Sequence, residues 1–266
     1  MDGTAPAGSP GGTARPGYPG AAAGAGSSSP QALAEELVGR LRAQANPANA
    51  AGMARYGISP HGLLGVGAKE LRAIAAELRP LRRREPALVH ETAARLWASG
   101  LHEARMLAGF IDVPALVTPQ QADAWVGDLD SWDTCDQLQA LFVPTPFAYD
   151  KAREWAGREE TFVKRAGFVL MCQLAVHDKK APDDRLAAFL PLVEREAPDE
   201  RNFVSKAVNW ALRQIGKRSP ALHEAALASG ERILAAHPES RAARWVARDA
   251  LRELRSEPVL RRLGLV

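Results

Sequence analysis

The chain has 266 residues, a formal net charge of +3 at pH 7 and a pI near 9.0. This length allows one large domain or two small ones with a sizeable core, and the mild positive excess is uninformative without the positions of the cations. No run approaches the ~18 apolar residues that a membrane span needs. The two cysteines, Cys135 and Cys172, lie inside helical patterns, so we predict that they are small core residues and not a disulfide framework. We therefore expect a cytoplasmic protein without a membrane segment.

The first 28 residues are almost wholly Gly, Ala, Pro, Ser and Thr. Such a composition cannot bury enough apolar surface to offset the conformational entropy that ordering would cost. The segment has no continuous apolar stretch behind a basic start, so it is not predicted to be a signal peptide. We predict a disordered tail over 1–28 and one folded domain over 29–266.

Beyond the tail, apolar residues recur with a period near 3.6, and no segment alternates as a strand would. Helices are expected to begin after Ser29, Asp130 and Ser240 and to end near residues such as Gly100. The predicted helices cover 31–44, 67–79, 85–99, 102–112, 119–127, 130–142, 147–157, 159–176, 183–195, 200–217, 220–236 and 240–254. Short connections make neighbouring helices antiparallel, so we predict an all-α fold, an α–α solenoid of HEAT-like repeats, with an irregular globular α-domain as the alternative.

Two stripes run along the predicted helix 200–217. One is apolar and should face the core; it consists of Val204, Val208, Ala211 and Ile215. The other has the same spacing on a different face; it consists of Lys206, Trp210, Arg213 and Lys217. An amphipathic tryptophan lying on a neighbouring helix among solvated cations would explain the second stripe. The functional interpretation is a nucleic-acid surface, where cations meet phosphates and the indole packs on sugar or base.

The predicted helix 159–176 is apolar nearly all round, which indicates a helix buried between neighbours. Arg165 lies on one of its apolar faces, and an unpaired buried guanidinium is very costly. It therefore needs a partner or a polar cavity, or it extends its charged end to solvent from the first turns. Lys164, one position round the helix, is predicted to be ordinary surface.

Three carboxylates lie at the start of the predicted helix 130–142. Asp130 is the expected N-cap, and Asp133 is explained by the positive end of the helix. Asp136 lies a turn further in, beyond the range of capping, and shares a face with Trp132. A carboxylate beside an indole and near the buried arginine would be held ionised in a site that excludes much of the water; an ordinary salt bridge is the alternative.

Four segments in this order resemble the DNA alkylation repair protein family, the HEAT-repeat DNA glycosylases of the AlkD type. They are Met53-Ala54-Arg55-Tyr56 leading to Leu64-Gly65-Val66, then Trp132-Asp133-Thr134-Cys135-Asp136, Lys164-Arg165-Ala166, and the run from Phe203 to Arg213. The similarity extends from about Met53 to the last helices. It implies a C-shaped solenoid whose concave face embraces duplex DNA and which hydrolyses the N-glycosidic bond of N3- or N7-alkylated purines.

The resemblance implies that Asp136 is the catalytic carboxylate, that Arg165 orients it and grips a backbone phosphate, and that Trp132 and Trp210 line the cleft. An alkylated purine already carries a positive charge, so it can leave without a general acid. One carboxylate can then stabilise the oxocarbenium-like sugar and position a water. The histidines have no metal-ligand spacing, and no lysine is placed to form a Schiff base. A monofunctional hydrolase without metal or cofactor is expected.

The partner implied is duplex DNA containing alkylated bases, bound by a monomer in a bacterial cytoplasm, in association with the nucleoid. The expected DNA-binding residues are Lys206, Arg213, Lys217, Tyr56, Arg244 and Arg248. The alternative from another class is a non-catalytic HEAT-like module that binds damaged or branched nucleic acid or a protein partner. The two differ at Asp136, because a pure DNA binder gains nothing from a carboxylate in an anion-binding cleft.

Overall fold

The computed structural model describes residues 29–266, and within that range the regular structure is entirely helical. The predicted tail over 1–28 lies outside the described residues. Across 29–266, no helix combines the length and the apolar character that crossing a bilayer requires. The helices are α1 Pro30–Ala43, α2 Pro47–Arg55, α3 Ala68–Glu77, α4 Arg79–Arg84, α5 Pro86–Ala98, α6 His102–Ile111, α7 Pro119–Gly127, α8 Trp132–Phe142, α9 Ala148–Ala156, α10 Thr161–His177, α11 Asp183–Ala187, α12 Leu190–Glu196, α13 Asn202–Gly216, α14 Pro220–Ala236, α15 Arg241–Leu254 and α16 Glu257–Leu263.

Five helices, α6, α8, α10, α13 and α15, pack side by side in this order; we call them the five-helix layer. The helices α7, α9, α12 and α14 connect them and pack on the same set. Contacts join corresponding ends of adjacent members of the layer: His102 of α6 meets Asp133 of α8, and Arg165 of α10 meets both α8 and α13. The members therefore run parallel, with their N-terminal ends along one edge.

The central helix α10 is buried along most of its length, as its apolar sequence predicts, because α8, α9 and α13 cover it. Gly167 permits the close approach of α9, since a Cβ at that position would lie 2.3 Å from the backbone nitrogen of Ala156. On α13 the predicted apolar stripe is fully buried. Its members are Val204, Val208, Ala211 and Ile215.

Four short helices were not predicted as separate elements: α2, α4, α12 and α16. Each carries a proline in its first two positions, namely Pro47, Pro80, Pro191 and Pro258. A proline there costs no hydrogen bond, because the first N–H groups of a helix have no intrahelical acceptor, and its fixed φ suits the helix. The four helices have only six to nine residues, too few for a 3.6-residue apolar period to stand out, and α12 is therefore merged with α11 in the predicted helix 183–195.

The predicted N-cap of α8, Asp130, is wrong. Ser131 occupies that position, and the helix begins at Trp132. The hydroxyl of Ser131 is buried and accepts a hydrogen bond from the N–H of Ser59 at 2.7 Å, so it does not cap its own helix. Tertiary contact with the loop after α2 has replaced a local interaction at this helix end.

The loop between α2 and α3 is anchored by one buried carboxylate. Glu103 of α6 is fully buried. It accepts hydrogen bonds from the N–H groups of Leu64, Gly65 and Val66 at 2.9, 2.6 and 3.1 Å. Gly65 allows the backbone to turn toward this carboxylate, because its φ is +80°. Residues that carry a Cβ rarely adopt this conformation. The buried Glu103 side chain therefore holds this loop in place through three backbone hydrogen bonds.

We predict that Glu103→Gln lowers the free energy of unfolding by about 1–3 kcal/mol, because one buried N–H would then face an amide NH₂ instead of an oxygen. Urea denaturation at neutral pH measures this. The matched control is Glu91→Gln, at an exposed carboxylate on the neighbouring α5. Equal stabilities for the two variants would show that the loop does not depend on the Glu103 charge.

Candidate functional site

An ion pair between Asp136 and Arg165 joins three members of the five-helix layer. Nε and Nη2 of Arg165 donate to the two oxygens of Asp136 at 2.9 and 2.8 Å, and Nη1 donates to the carbonyl of Phe203 at 2.7 Å. The side chains of Arg165 and Asp136 are 7% and 15% exposed. The expectation of a partner for Arg165 is confirmed, and the alternative in which it extends to solvent is wrong. Little of the guanidinium is open to a backbone phosphate, so the phosphate-gripping role does not fit this arrangement.

The surroundings of the Asp136 carboxylate are poorly hydrated. Burial raises the pKa of the Asp136 carboxyl, and the Arg165 guanidinium opposes this shift without cancelling it. Cys135 and Cys172 are buried free thiols whose pKa values burial raises well above the usual value, which confirms their prediction as core residues. A charge in such surroundings interacts strongly with any nearby cation, because little water screens it.

A four-residue segment, Tyr56–Ser59, crosses the N-terminal ends of α8 and α13; we call it the crossing segment. The indole N–H of Trp132 donates to the carbonyl of Tyr56 at 3.0 Å. Gly57, with a φ of +79°, lies against the ring of Phe203, where an added Cβ would come within 3.1 Å of Cζ. The crossing segment thus fixes the orientation of Trp132 and leaves the Tyr56 side chain 78% exposed.

The predicted cationic stripe of α13 is only partly free. Lys206 is exposed and forms no ion pair with any residue in 29–266, and Trp210, one turn later, is partly buried against the core. Arg213 and Lys217 instead pair with Glu253 of α15, the lysine at 2.6 Å. The three predicted cations are therefore not equally available, because the Glu253 carboxylate neutralises part of the stripe.

On the last helix of the layer, Arg248 is exposed and has no salt-bridge partner among the described residues. Arg244 is half-buried and donates to the carbonyl of Pro238 at 3.0 Å. Of the two arginines predicted on α15, Arg248 is therefore available to a ligand. Arg244 is partly engaged by its hydrogen bond to the turn that precedes the helix.

Asp133 has a role beyond the helix end. Its carboxylate lies 3.0 Å from Nε2 of His102, which is almost fully buried, and Thr134 Oγ1 lies 3.5 Å from the other ring nitrogen. Burial disfavours the charged imidazole, but the hydrogen bond and charge of Asp133, together with the charges of Glu103 and Asp130, outweigh it and raise the pKa of His102 above 6.5. No pattern in the sequence indicates this role for His102, because the contact depends on how α6 packs on α8.

Two further features went unpredicted. Lys164 is not surface: it is buried, with its ammonium 2.6 Å from the carboxylate of Glu196. Trp245 of α15 is 42% exposed and lines a cavity of about 510 Å³ together with Arg241. The sequence contains a signal for this feature, because Trp245 follows Arg241 by four positions on the charged face of a helix. Trp210 follows Lys206 by the same spacing.

A basic patch also lies beside α6 and α8, the first two members of the five-helix layer. Arg72, Arg79 and Arg82 line a cavity of about 340 Å³ with residues of α8. Arg72 donates to the side chain of Gln137 at 3.2 Å, one position after Asp136. Cations therefore lie on both sides of the Asp136–Arg165 pair along the layer.

We predict that the His102–Asp133 pair stabilises the fold more at acidic than at alkaline pH. Because the folded-state pKa of His102 is raised above 6.5, the stabilisation is fully present below that value and is lost as pH rises through the raised pKa. The loss of stability in His102→Asn should thus be larger at about pH 5.5 than at about pH 8.5, by up to ~1.4 kcal/mol for each unit of pKa shift.

Urea denaturation at the two pH values tests this, with His61→Asn, at an exposed histidine, as the control. A destabilisation by His102→Asn that is independent of pH would mean that the imidazole contributes by packing alone.

Comparison with curated proteins gives no significant match. A solved structure described as "a new family of proteins related to the HEAT-like repeat DNA glycosylases with affinity for branched DNA structures" superposes with a TM-score of 0.61 and 18% sequence identity, over 74% of this chain and 82% of that chain. This likeness confirms the predicted HEAT-like fold. A family model described as DNA alkylation repair enzyme matches residues 37–254. The chain therefore belongs to the DNA alkylation repair enzyme family.

Proposed function

We propose that the protein is a monofunctional DNA glycosylase that hydrolyses the N-glycosidic bond of N3- or N7-alkylated purines in duplex DNA. Membership of the family supports the broader assignment to DNA repair. The observation that carries the finer proposal is the placement of Asp136, a carboxylate held by two hydrogen bonds from Arg165 in poorly hydrated surroundings, one helical turn from Trp132.

The chemistry needs a fixed negative charge. The alkylated base leaves with the electrons of the glycosidic bond and becomes neutral, so positive charge develops on the sugar. A preorganised carboxylate stabilises that charge without reorganisation at the moment of reaction. Arg165 uses two of the roughly four lone-pair positions of Asp136, so the remaining ones are left to accept a hydrogen bond from the attacking water. Arg165 is a positioning residue in this proposal.

The two tryptophans supply the walls of the site in this proposal. The ring of Trp132 is fixed, because its N–H is held by the carbonyl of Tyr56. Trp210 is anchored by its contact with the core. An indole face attracts a cationic ligand through its quadrupole, so a positively charged base or sugar is favoured over a neutral one. Fixed indoles lose little entropy on binding, which favours selection of the charged nucleotide.

The positions of the cations suit a duplex that lies along the five-helix layer. Lys206 and Arg248 are exposed on the C-terminal side of Asp136, and three arginines, Arg72, Arg79 and Arg82, lie on the other side. Contacts of this kind are made to phosphates, so they provide affinity that does not depend on sequence. The exposed ring of Tyr56 lies between the two groups in this proposal and faces the DNA.

A second candidate function is non-catalytic recognition of branched DNA. The solved structure of similar fold comes from proteins described as having affinity for such DNA. Both functions use the same cations, so affinity for DNA alone does not separate them. They differ at Asp136, because only the glycosylase gains from an anion placed where DNA binds.

We predict that Asp136→Asn slows the excision of 7-methylguanine by about 100-fold or more, since an amide cannot stabilise the sugar cation. Single-turnover release of the base from methylated duplex DNA measures it. The variant also loses one hydrogen bond from Arg165, so circular dichroism and duplex affinity must establish that the assayed protein is folded.

Asp133→Asn is the matched control for that measurement. It weakens the pair with His102 and lowers stability, but it leaves Asp136 in place, so excision should stay near the wild-type rate. Wild-type rates for Asp136→Asn, or equal losses in the two variants, would favour the binding module.

The salt dependence of duplex binding tests the cationic surface. Lys206→Gln should reduce the slope of log K against log salt by about 0.9, because one phosphate contact is lost. Glu253→Gln should increase both affinity and slope, because it releases Arg213 and Lys217 from their partner. Fluorescence anisotropy between about 50 and 200 mM salt measures both.

The control for the salt series is Arg255→Gln, whose side chain pairs with Glu231 of α14. It should leave the slope unchanged. An unchanged slope for Lys206→Gln as well would remove this face of α13 from the DNA contact.

A further inference from the structure

A second recess lies on the five-helix layer, separate from the Asp136–Arg165 pair. It has a volume of about 510 Å³ and opens between the first turns of α13 and α15. Its lining residues are Glu200, Asn202, Ser205, Arg241, Ala242 and Trp245. The volume lies in the range of small-molecule sites, and the recess begins one residue from Lys206, so it adjoins the proposed DNA surface.

One wall of this recess is the indole of Trp245. The following residues of α15, Val246 and Ala247, are fully buried, whereas Trp245 is 42% exposed. The helix thus directs its largest apolar side chain away from the core, on the same side as Arg241 and Arg248. An exposed indole beside cations offers a flat apolar face with low conformational entropy, which suits stacking against a planar ligand.

The polar groups of the recess are unengaged. Within residues 29–266, the side chains of Glu200, Asn202 and Arg241 form no hydrogen bond and no ion pair. Ser205 Oγ is bonded only to the carbonyl of Asn202, at 3.3 Å. The recess therefore presents a carboxylate acceptor, an amide that donates and accepts, and a guanidinium donor beside one aromatic face.

This combination discriminates between classes of ligand. A purely apolar ligand would strip water from the polar groups without replacing their hydrogen bonds. A free phosphate would meet the negative charge of Glu200. A nucleobase has apolar faces for the indole and an edge of alternating donors and acceptors for the amide and carboxylate. Arg241, which also lines the recess, would neutralise the phosphate of the same nucleotide.

We propose that this recess binds one unpaired nucleobase of DNA, stacked on Trp245 with its edge bonded by Asn202 and Glu200. The inference rests on the proposed DNA-binding function and adds a substrate preference to it. A base inside a duplex is stacked and paired, so only a displaced base, as in a bulge, flap or junction, can enter. The protein therefore binds DNA with a displaced base more tightly than a continuous duplex, whether or not Asp136 is catalytic.

The test uses the full chain and three DNAs that differ only at the centre: a continuous duplex, a duplex with one extra nucleotide, and the same bulge with an abasic nucleotide. The bulge should bind about tenfold more tightly than the duplex, and the abasic bulge should lose that gain, because stacking of one base supplies it. Trp245→Ala should abolish the difference, Trp245→Phe should retain part of it, and neither should change affinity for the continuous duplex.

A 2-aminopurine placed in the bulge reports the same event directly. Its fluorescence should change on binding to the wild-type protein and to the control Leu116→Ala, an exposed apolar residue elsewhere on the surface, but not on binding to Trp245→Ala. A preference for the bulge that survives Trp245→Ala, or that persists without the base, overturns the recess while leaving the DNA-binding function intact.

Two other outcomes are also decisive. Loss of affinity for the continuous duplex in Trp245→Ala would assign the indole to the general DNA surface and overturn the proposal. Binding of free deoxyadenosine monophosphate that is as tight as binding of the bulge would assign the recess to a mononucleotide and overturn it too. Failure of the wild-type protein to bind any of the three DNAs would overturn the proposed function together with this inference.

Discussion

The buried bond between Asp136 and Arg165 is the constraint on which the arrangement of the middle of the molecule depends. Each of these charges would be very costly to bury alone, and the cost is offset only when both oxygens and all three nitrogens find partners. Those partners come from α8, α10 and α13, since Nη1 of Arg165 is satisfied by the Phe203 carbonyl. The pair therefore ties α8, α10 and α13 together at defined positions along their lengths.

The same pair limits what Arg165 can do. A guanidinium committed to a carboxylate and a carbonyl is a rigid support, and a rigid support is what a preorganised site requires. In the proposed function, phosphate contacts are made instead by exposed cations such as Lys206 and Arg248. The molecule thus divides its positive charge between buried groups that hold a carboxylate in place and surface groups that are free to meet an anion.

Helical periodicity was sufficient to predict an all-α protein and the buried face of α13, because both follow from positions along a single helix. The approach of Asp136 to Arg165 was also anticipated, since an arginine on an apolar helix needs a partner. Contacts set by packing were not anticipated. Glu253 reaches Arg213 and Lys217, and Asp133 reaches His102, only because parallel helices place equivalent turns together. A helical wheel carries no information on which turn of the next helix lies opposite.

The crossing segment has a consequence for how the chain unfolds. A stack of helical repeats is ordinarily held by contacts between immediate neighbours, so its ends can fray while the rest persists. Here the carbonyl of Tyr56 is bonded to Trp132, 76 residues away, and Gly57 touches Phe203, still further along the chain. The first helices are thereby tied to the middle of the stack. Such long-range closure slows folding through its entropy, and it favours a single cooperative transition over the stepwise loss of repeats.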